Sequence, residues 1–219
     1  MHRRARSRED KLRRAEDLLN AARALVAEQG GVRYVTLAAV TEAAGLHPSA
    51  VRRYFESKEE LLLELAERGW GEWCDALRAH LADARGLGAR EVAAAVSTTI
   101  ASLPLFCDLL THVPLSLEGE ASIDRARRYK TNSFAAYDTI VETLTAASAM
   151  TTEQVQDLIA ATLGVTANLW QLAHPTATLA QLYAQEPRWG HAALDFEQRL
   201  TRLLHATAAG LIAADGPSG

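Results

Sequence analysis

The stretch TLAAVTEAAGLHPSAVRRYFESKEEL, residues 36–61, constrains the fold more than any other part of the chain. Two short amphipathic segments flank Gly45, separated only by the run GLH. A connection that short makes the two helices cross at their near ends. Gly45 accepts the left-handed backbone that closes a helix, and Pro48, with its fixed φ, suits the first position of the next one. Thr36 is the N-cap of the first short helix, with Leu37 and Val40 on its buried side. Thr41, four residues before the glycine, is the small residue where the two helices touch. Val51, six residues after it, should lock the second helix onto the first. Upstream, Ala15, Leu18, Leu19, Ala22, Leu25 and Val26 recur at three- and four-residue steps, the apolar face of a helix that Gly30–Gly31 ends. Two short helices, a glycine turn and a supporting helix are the parts of a helix-turn-helix.

The third predicted helix runs from Pro48 to about Phe55. At about 100° per residue, Val51, Phe55 and Pro48 face inward, Ser49 and Arg53 face outward, and Arg52 and Tyr54 fall on opposite flanks. A helix in the major groove needs this division, because its outer face meets base edges while its flanks meet phosphates. Arg53 is the candidate for a bidentate contact to guanine, and Arg52 and Tyr54 for phosphates. Ser57 and Glu60 form a capping box for a fourth helix, where Lys58 can reach a phosphate aided by the positive dipole end. Thr36 can contribute similarly. Residues 1–58 carry a net charge of +5 and the remainder −9, so a polyanion would meet the N-terminal part only.

The run quoted above resembles the DNA-binding domain of the tetracycline-repressor (TetR) family. The resemblance implies an all-α chain: an N-terminal three-helix helix-turn-helix domain over residues 15–62, then a helical ligand-binding and dimerisation domain over 63–215. It also implies DNA contacts from His47, Pro48 and Ser49, beside Thr36, Arg52, Arg53, Tyr54 and Lys58. His47 stands where Ser or Thr is usual, and Arg52 where an aromatic is usual; an arginine can hold the same phosphate. The partners implied are a double-stranded DNA operator, a second copy of the chain and a small-molecule effector. No cofactor is implied.

The rest of the chain reads as helices over 89–102, from Pro104 to Pro114, over 120–148, from a Thr151 or Thr152 cap to before Pro175, and over 191–213. No strand is expected. The first fourteen residues, with seven positive charges, read as a flexible arm, and the terminal DGPSG as disordered. By the family layout the last two long helices pair with those of a partner through Leu158, Ile159, Leu163, Leu169, Phe196, Leu200, Leu203 and Leu204. Small residues such as Gly164 and Gly210 would permit close approach. The middle helices should enclose the effector, with Trp73, Leu77, Phe106, Leu110, His112, Phe134, Tyr137, Trp170 and His174 as lining candidates. Their character points to an apolar or aromatic molecule.

Other function classes fare worse. There is no HExxH, GxSxG, P-loop or dinucleotide fingerprint, so an enzyme is not expected. The two cysteines, Cys74 and Cys107, lack metal or disulfide spacing, and no metal site is expected. A reduced, cytoplasmic chain follows. No apolar run reaches the roughly 18 residues of a membrane span. A sequence-independent architectural DNA binder would not need so large an acidic body. A transcriptional activator of the same fold is the alternative to a repressor.

Overall fold

A computed structural model describes residues 2–47, 50–192 and 195–214. The basic N-terminal segment is helical: α1 runs from His2 to Gln29. The expected arm is thus part of the first helix. Its Arg and Lys residues are good helix formers, and Arg13–Asp10 and Arg14–Asp17 pair one turn apart along it. Leu18, Leu19 and Ala22 bury its inner face. A turn over Val32–Tyr34 leads to α2 (Leu37–Ala43), capped by Thr36, whose hydroxyl accepts from the Ala39 amide at 3.2 Å.

Gly45 closes α2 at φ +64°. Its amide donates to Glu42 O and that of Leu46 to Thr41 O, the paired bonds of a Schellman stop. The chain then coils over Val51–Arg53 as a 3₁₀ turn instead of the α-helix expected from Pro48 to Phe55. Pro48 and Ser49 lie outside the described residues. Ser57 caps α3 (Lys58–Leu81), the fourth helix predicted from sequence, by accepting from the Glu60 amide.

The body comprises α4 (Ala89–Ala101), α5 (Pro104–His112), α6 (Glu118–Glu120), α7 (Ile123–Ala147), α8 (Thr152–Ala173), α9 (Ala177–Gln185) and α10 (Phe196–Ala214). Pro114 does not end the α5 segment. The α-helical ladder gives way at Val113 to a wider π turn through Leu117, which accommodates the missing N–H and continues into α6. Among the described residues there is no strand beyond a single bridge between Leu87 and Ser148. The terminal DGPSG lies outside the described residues.

One apolar core runs through both parts of the molecule, and α3 threads it from end to end. Leu61, Leu62 and Leu65 are buried in its first turns, and Trp73 and Leu77 farther along it. Gly69 lets α5 approach α3 closely: a Cβ there would lie 2.3 Å from the Phe106 ring. Phe106 packs edge-on to Trp70 and tilted against Trp73, and both indole N–H groups find hydroxyl acceptors, Tyr129 and Thr99.

Candidate functional site

Val51 and Phe55 are buried, and Thr41 is buried at the α2 contact, donating to Leu37 O at 2.6 Å. These three anchors fix the 3₁₀ turn, which leaves Arg52 and Arg53 both exposed. Tyr54 differs from expectation. A coil of about three residues per turn returns it to the side of Val51, and it is half-buried against the core instead of flanking the surface. Thr36 and His47 are exposed, and Lys58 is half-buried at the first turn of α3.

Polar ties hold this head to the body. Asp108 on α5 is buried and accepts the Val32 amide at 2.7 Å and Gln171 Nε2 at 2.8 Å. Arg33 donates from Nη2 to Gln171 Oε1 at 3.0 Å and to His174 O at 3.4 Å. On the other side, Glu60 accepts from the Ser122 hydroxyl at 2.6 Å and from the Glu56 amide. Burial raises its pKa, but these bonds, the Ser122 amide and Arg125 outweigh that and leave it lowered. Arg125, which sequence spacing did not single out, is buried beside Glu67 at 2.7 Å and Glu64 at 3.4 Å. Arg128 pairs with Glu64 as well. Arg23–Glu72 and Arg68–Glu16 fasten α1 to α3.

The expected effector-lining residues fall in different settings among the described residues. Trp73, Leu77 and Phe106 are packed into the core, and Leu110 and Tyr137 are half-buried against it. Phe134 is exposed and meets only the edge of Tyr137 in ring contact. His112 is half-buried, its Nε2 3.8 Å from Asp108. Burial lowers its pKa, opposed by Asp108 and reinforced by Arg33 and Lys58. Trp170 and His174 do line a cavity of about 350 Å³, together with Val26, Gly30, Gly31, Arg33 and Leu105. That cavity lies between head and body, not inside the body.

Of the expected partner-facing residues, Leu158, Ile159, Leu169, Leu200 and Leu204 are buried within the protomer, Leu163 and Phe196 are partly buried, and Leu203 is exposed. The strongest apolar stripe of each helix faces its own chain, because α10 packs on α4 and α8. The outward faces carry smaller residues: Ala160 and Gly164 on α8, and Ala206, Ala209 and Gly210 on α10, beside exposed Leu172, Leu203 and Ile212.

Two family models match the chain. That of the bacterial regulatory proteins, tetR family, covers residues 18–65, and that of the tetracyclin repressor-like C-terminal domain covers residues 67–215. The chain belongs to the TetR family. Members of this family are non-enzymatic DNA-binding transcription factors. Solved structures with the same fold include the MbdR regulator from Azoarcus sp. CIB, at 20% identity and a TM-score of 0.51, covering 87% of this chain and 96% of that one. The fatty acid degradation regulator FadR from Bacillus halodurans is similar at 18% identity and 0.53, covering 94% and 96%. FadR from Bacillus subtilis, solved with stearoyl-CoA, is similar at 13% identity and 0.52, covering 89% and 98%. No curated protein sequence matches significantly. Among the described residues of this TetR-family chain, no single helix is long and apolar enough to cross a membrane, and no group of three His, Cys, Asp or Glu is arranged to hold a metal.

Proposed function

We propose that this TetR-family chain is an effector-responsive repressor that binds a palindromic DNA operator as a homodimer. The observation that carries the reading is the pair Arg52 and Arg53, exposed together on a turn that buried Val51 and Phe55 hold rigid. In this reading Arg53 reads a guanine, Arg52 holds a phosphate, and Thr36, His47, Pro48, Ser49, Lys58 and the part of half-buried Tyr54 left exposed complete the contact. The exposed Leu203 and Ile212, with the small residues Ala160, Gly164, Ala206 and Gly210 around them, form the face shared by two copies. A Cβ added at Gly164 or Gly210 meets nothing within 4 Å in the single chain, so another helix could approach there.

A small apolar or aromatic effector then shifts the dimer between two conformations. It does so only if it binds one of them better. The α3 helix, which begins beside the DNA-facing turn and ends in the body, is the lever. The stearoyl-CoA seen in Bacillus subtilis FadR shows what that protein binds; at 13% identity it supports the fold and not the same ligand.

Selection from a random duplex pool tests the reading. A repressor of this design recovers a short inverted repeat, and its affinity falls steeply with salt as phosphate contacts release counterions. Recovery of no common sequence refutes the operator.

A further inference from the structure

Resting on the operator-binding reading above, we propose that Glu60 is a positioning residue for DNA recognition: through its carboxylate, the start of α7 fixes where the arginine turn sits relative to the body. Glu60 stands at the third position of α3, where a capping box asks for a single acceptor. Here both oxygens are engaged, and the side chain is buried. Oε2 accepts from the Glu56 amide at 3.2 Å, one residue after Phe55, which anchors the arginine turn. Oε1 accepts from the Ser122 hydroxyl at 2.6 Å and from the Ser122 amide at 3.3 Å. One carboxylate thus joins the end of that turn to the body.

Ser122 points the same way from the other side. It is the N-cap residue of α7, with the extended backbone of that position, yet its side chain makes no bond to its own helix. Thr36, Ser57 and Thr151 all cap their own helices from the same position. Ser122 forgoes that bond and donates across to Glu60. A local rule broken without local gain is expected where a residue serves function.

Farther along, a ladder sets the register of α7 on α3. Glu64 meets Arg125 and Arg128, Glu67 meets Arg125 and Asn132, and Trp70 donates to Tyr129. Residue numbers rise together on both helices, so they run in the same direction, and α7 cannot slip along α3 without breaking these bonds. Glu60 is the rung that continues past α3 to the arginine turn. Beside it opens a cleft of about 370 Å³, lined by Tyr54, Phe55, Glu56, Ser122 and Arg128 among others. The carboxylate therefore spans a gap between turn and α7 that packing does not fill. The tie from Asp108 to the Val32 amide meets the chain between α1 and α2 instead. In a dimer, the separation of the two arginine turns depends on how each head is set on its body, and the half-sites must match that separation. Loss of the Glu60–Ser122 rung frees the first turn of α3 without touching the arginines. The spacing preference then loosens while the base preference stays.

Binding of the full chain to its selected operator, and to duplexes whose half-sites are moved together or apart by one base pair, tests the coupling. The parent should prefer its own spacing. Ser122→Ala should reduce that preference at least fivefold, keep the base preference within each half-site, and melt near the parent. Ser122→Thr, which retains the hydroxyl, should keep the parent's preference. Glu60→Gln should lose at least as much as Ser122→Ala, and the double variant no more than Glu60→Gln alone, since the two residues act through one contact. A parent indifferent to spacing, a preference unchanged in Ser122→Ala, a Ser122→Thr variant as loose as Ser122→Ala, or additive losses in the double variant overturns the proposal. Any of these with a recovered operator refutes the coupling alone. A pool that yields no operator refutes the regulator reading and the coupling with it.

Discussion

Arg52 and Arg53 are neighbours in sequence but have different tasks in this account. On a coil of about three residues per turn, successive side chains diverge widely, so one can face bases while the other faces a phosphate wall. Arg53→Ala should cost about 1–3 kcal/mol at one guanine and relax the preference there. Arg52→Ala should weaken all sequences alike and lower the salt slope by about one phosphate. Competition binding on single-base variants of the selected site separates the two. Equal losses on every variant for Arg53→Ala would remove its base-reading role. His112 gives a second test at this scale. Its pKa lies below the ordinary 6.5, chiefly through burial, so the unfolded chain takes up a proton there before the folded chain does. The stability it contributes is intact above that value and is lost as pH falls toward the depressed folded value. Urea midpoints across the acidic range should therefore depend less on pH in His112→Asn than in the parent; an unchanged dependence contradicts the assignment. Val51 and Phe55 were legible because local periodicity decides which way they face. Arg125 was not, because its partner Glu67 lies 58 residues away in sequence.

At the scale of elements, stop signals were more legible than helix type. The Thr36 and Ser57 caps and the Gly45 turn stand where the sequence puts them, because each is a local hydrogen-bond choice. The 3₁₀ coil at Val51–Arg53 and the π turn at Pro114 were read as ordinary helix and helix end, since a change in helical pitch leaves no composition signal. The α9 helix was missed for another reason. It spans only Ala177–Gln185, too short for Leu179, Leu182 and Tyr183 to repeat their spacing over a second stretch. Along α3, Gly69 is the position with least room. Gly69→Ala should destabilise the chain by about 1–3 kcal/mol, the range for overpacking a core, because the Phe106 ring must move. Denaturant unfolding measures it, and a variant as stable as the parent would mean that α5 yields freely.

For the whole molecule, the sequence showed which helices have apolar stripes but not which side each stripe faces. Leu158, Ile159, Leu200 and Leu204 were read as partner-facing and lie inside the protomer. Periodicity identifies a buried face without saying whose surface buries it. The cavity was equally illegible, for it is assembled from α1, α5 and α8, which are remote in sequence. Assembly can be tested at the outward face of α10: Ala206→Glu should leave the melting curve of the protomer near the parent's yet convert dimer to monomer in sedimentation. Operator affinity should fall with it, since a single head holds only a half-site. A dimer undisturbed by Ala206→Glu would place the shared face elsewhere. The central claim, that two heads grip one duplex through their arginine turns, is met most directly by footprinting the selected site. Footprints should show two protected major-groove patches on one face of the DNA, about 34–36 Å apart or a multiple of that. A single patch, or even protection along any duplex offered, would contradict it.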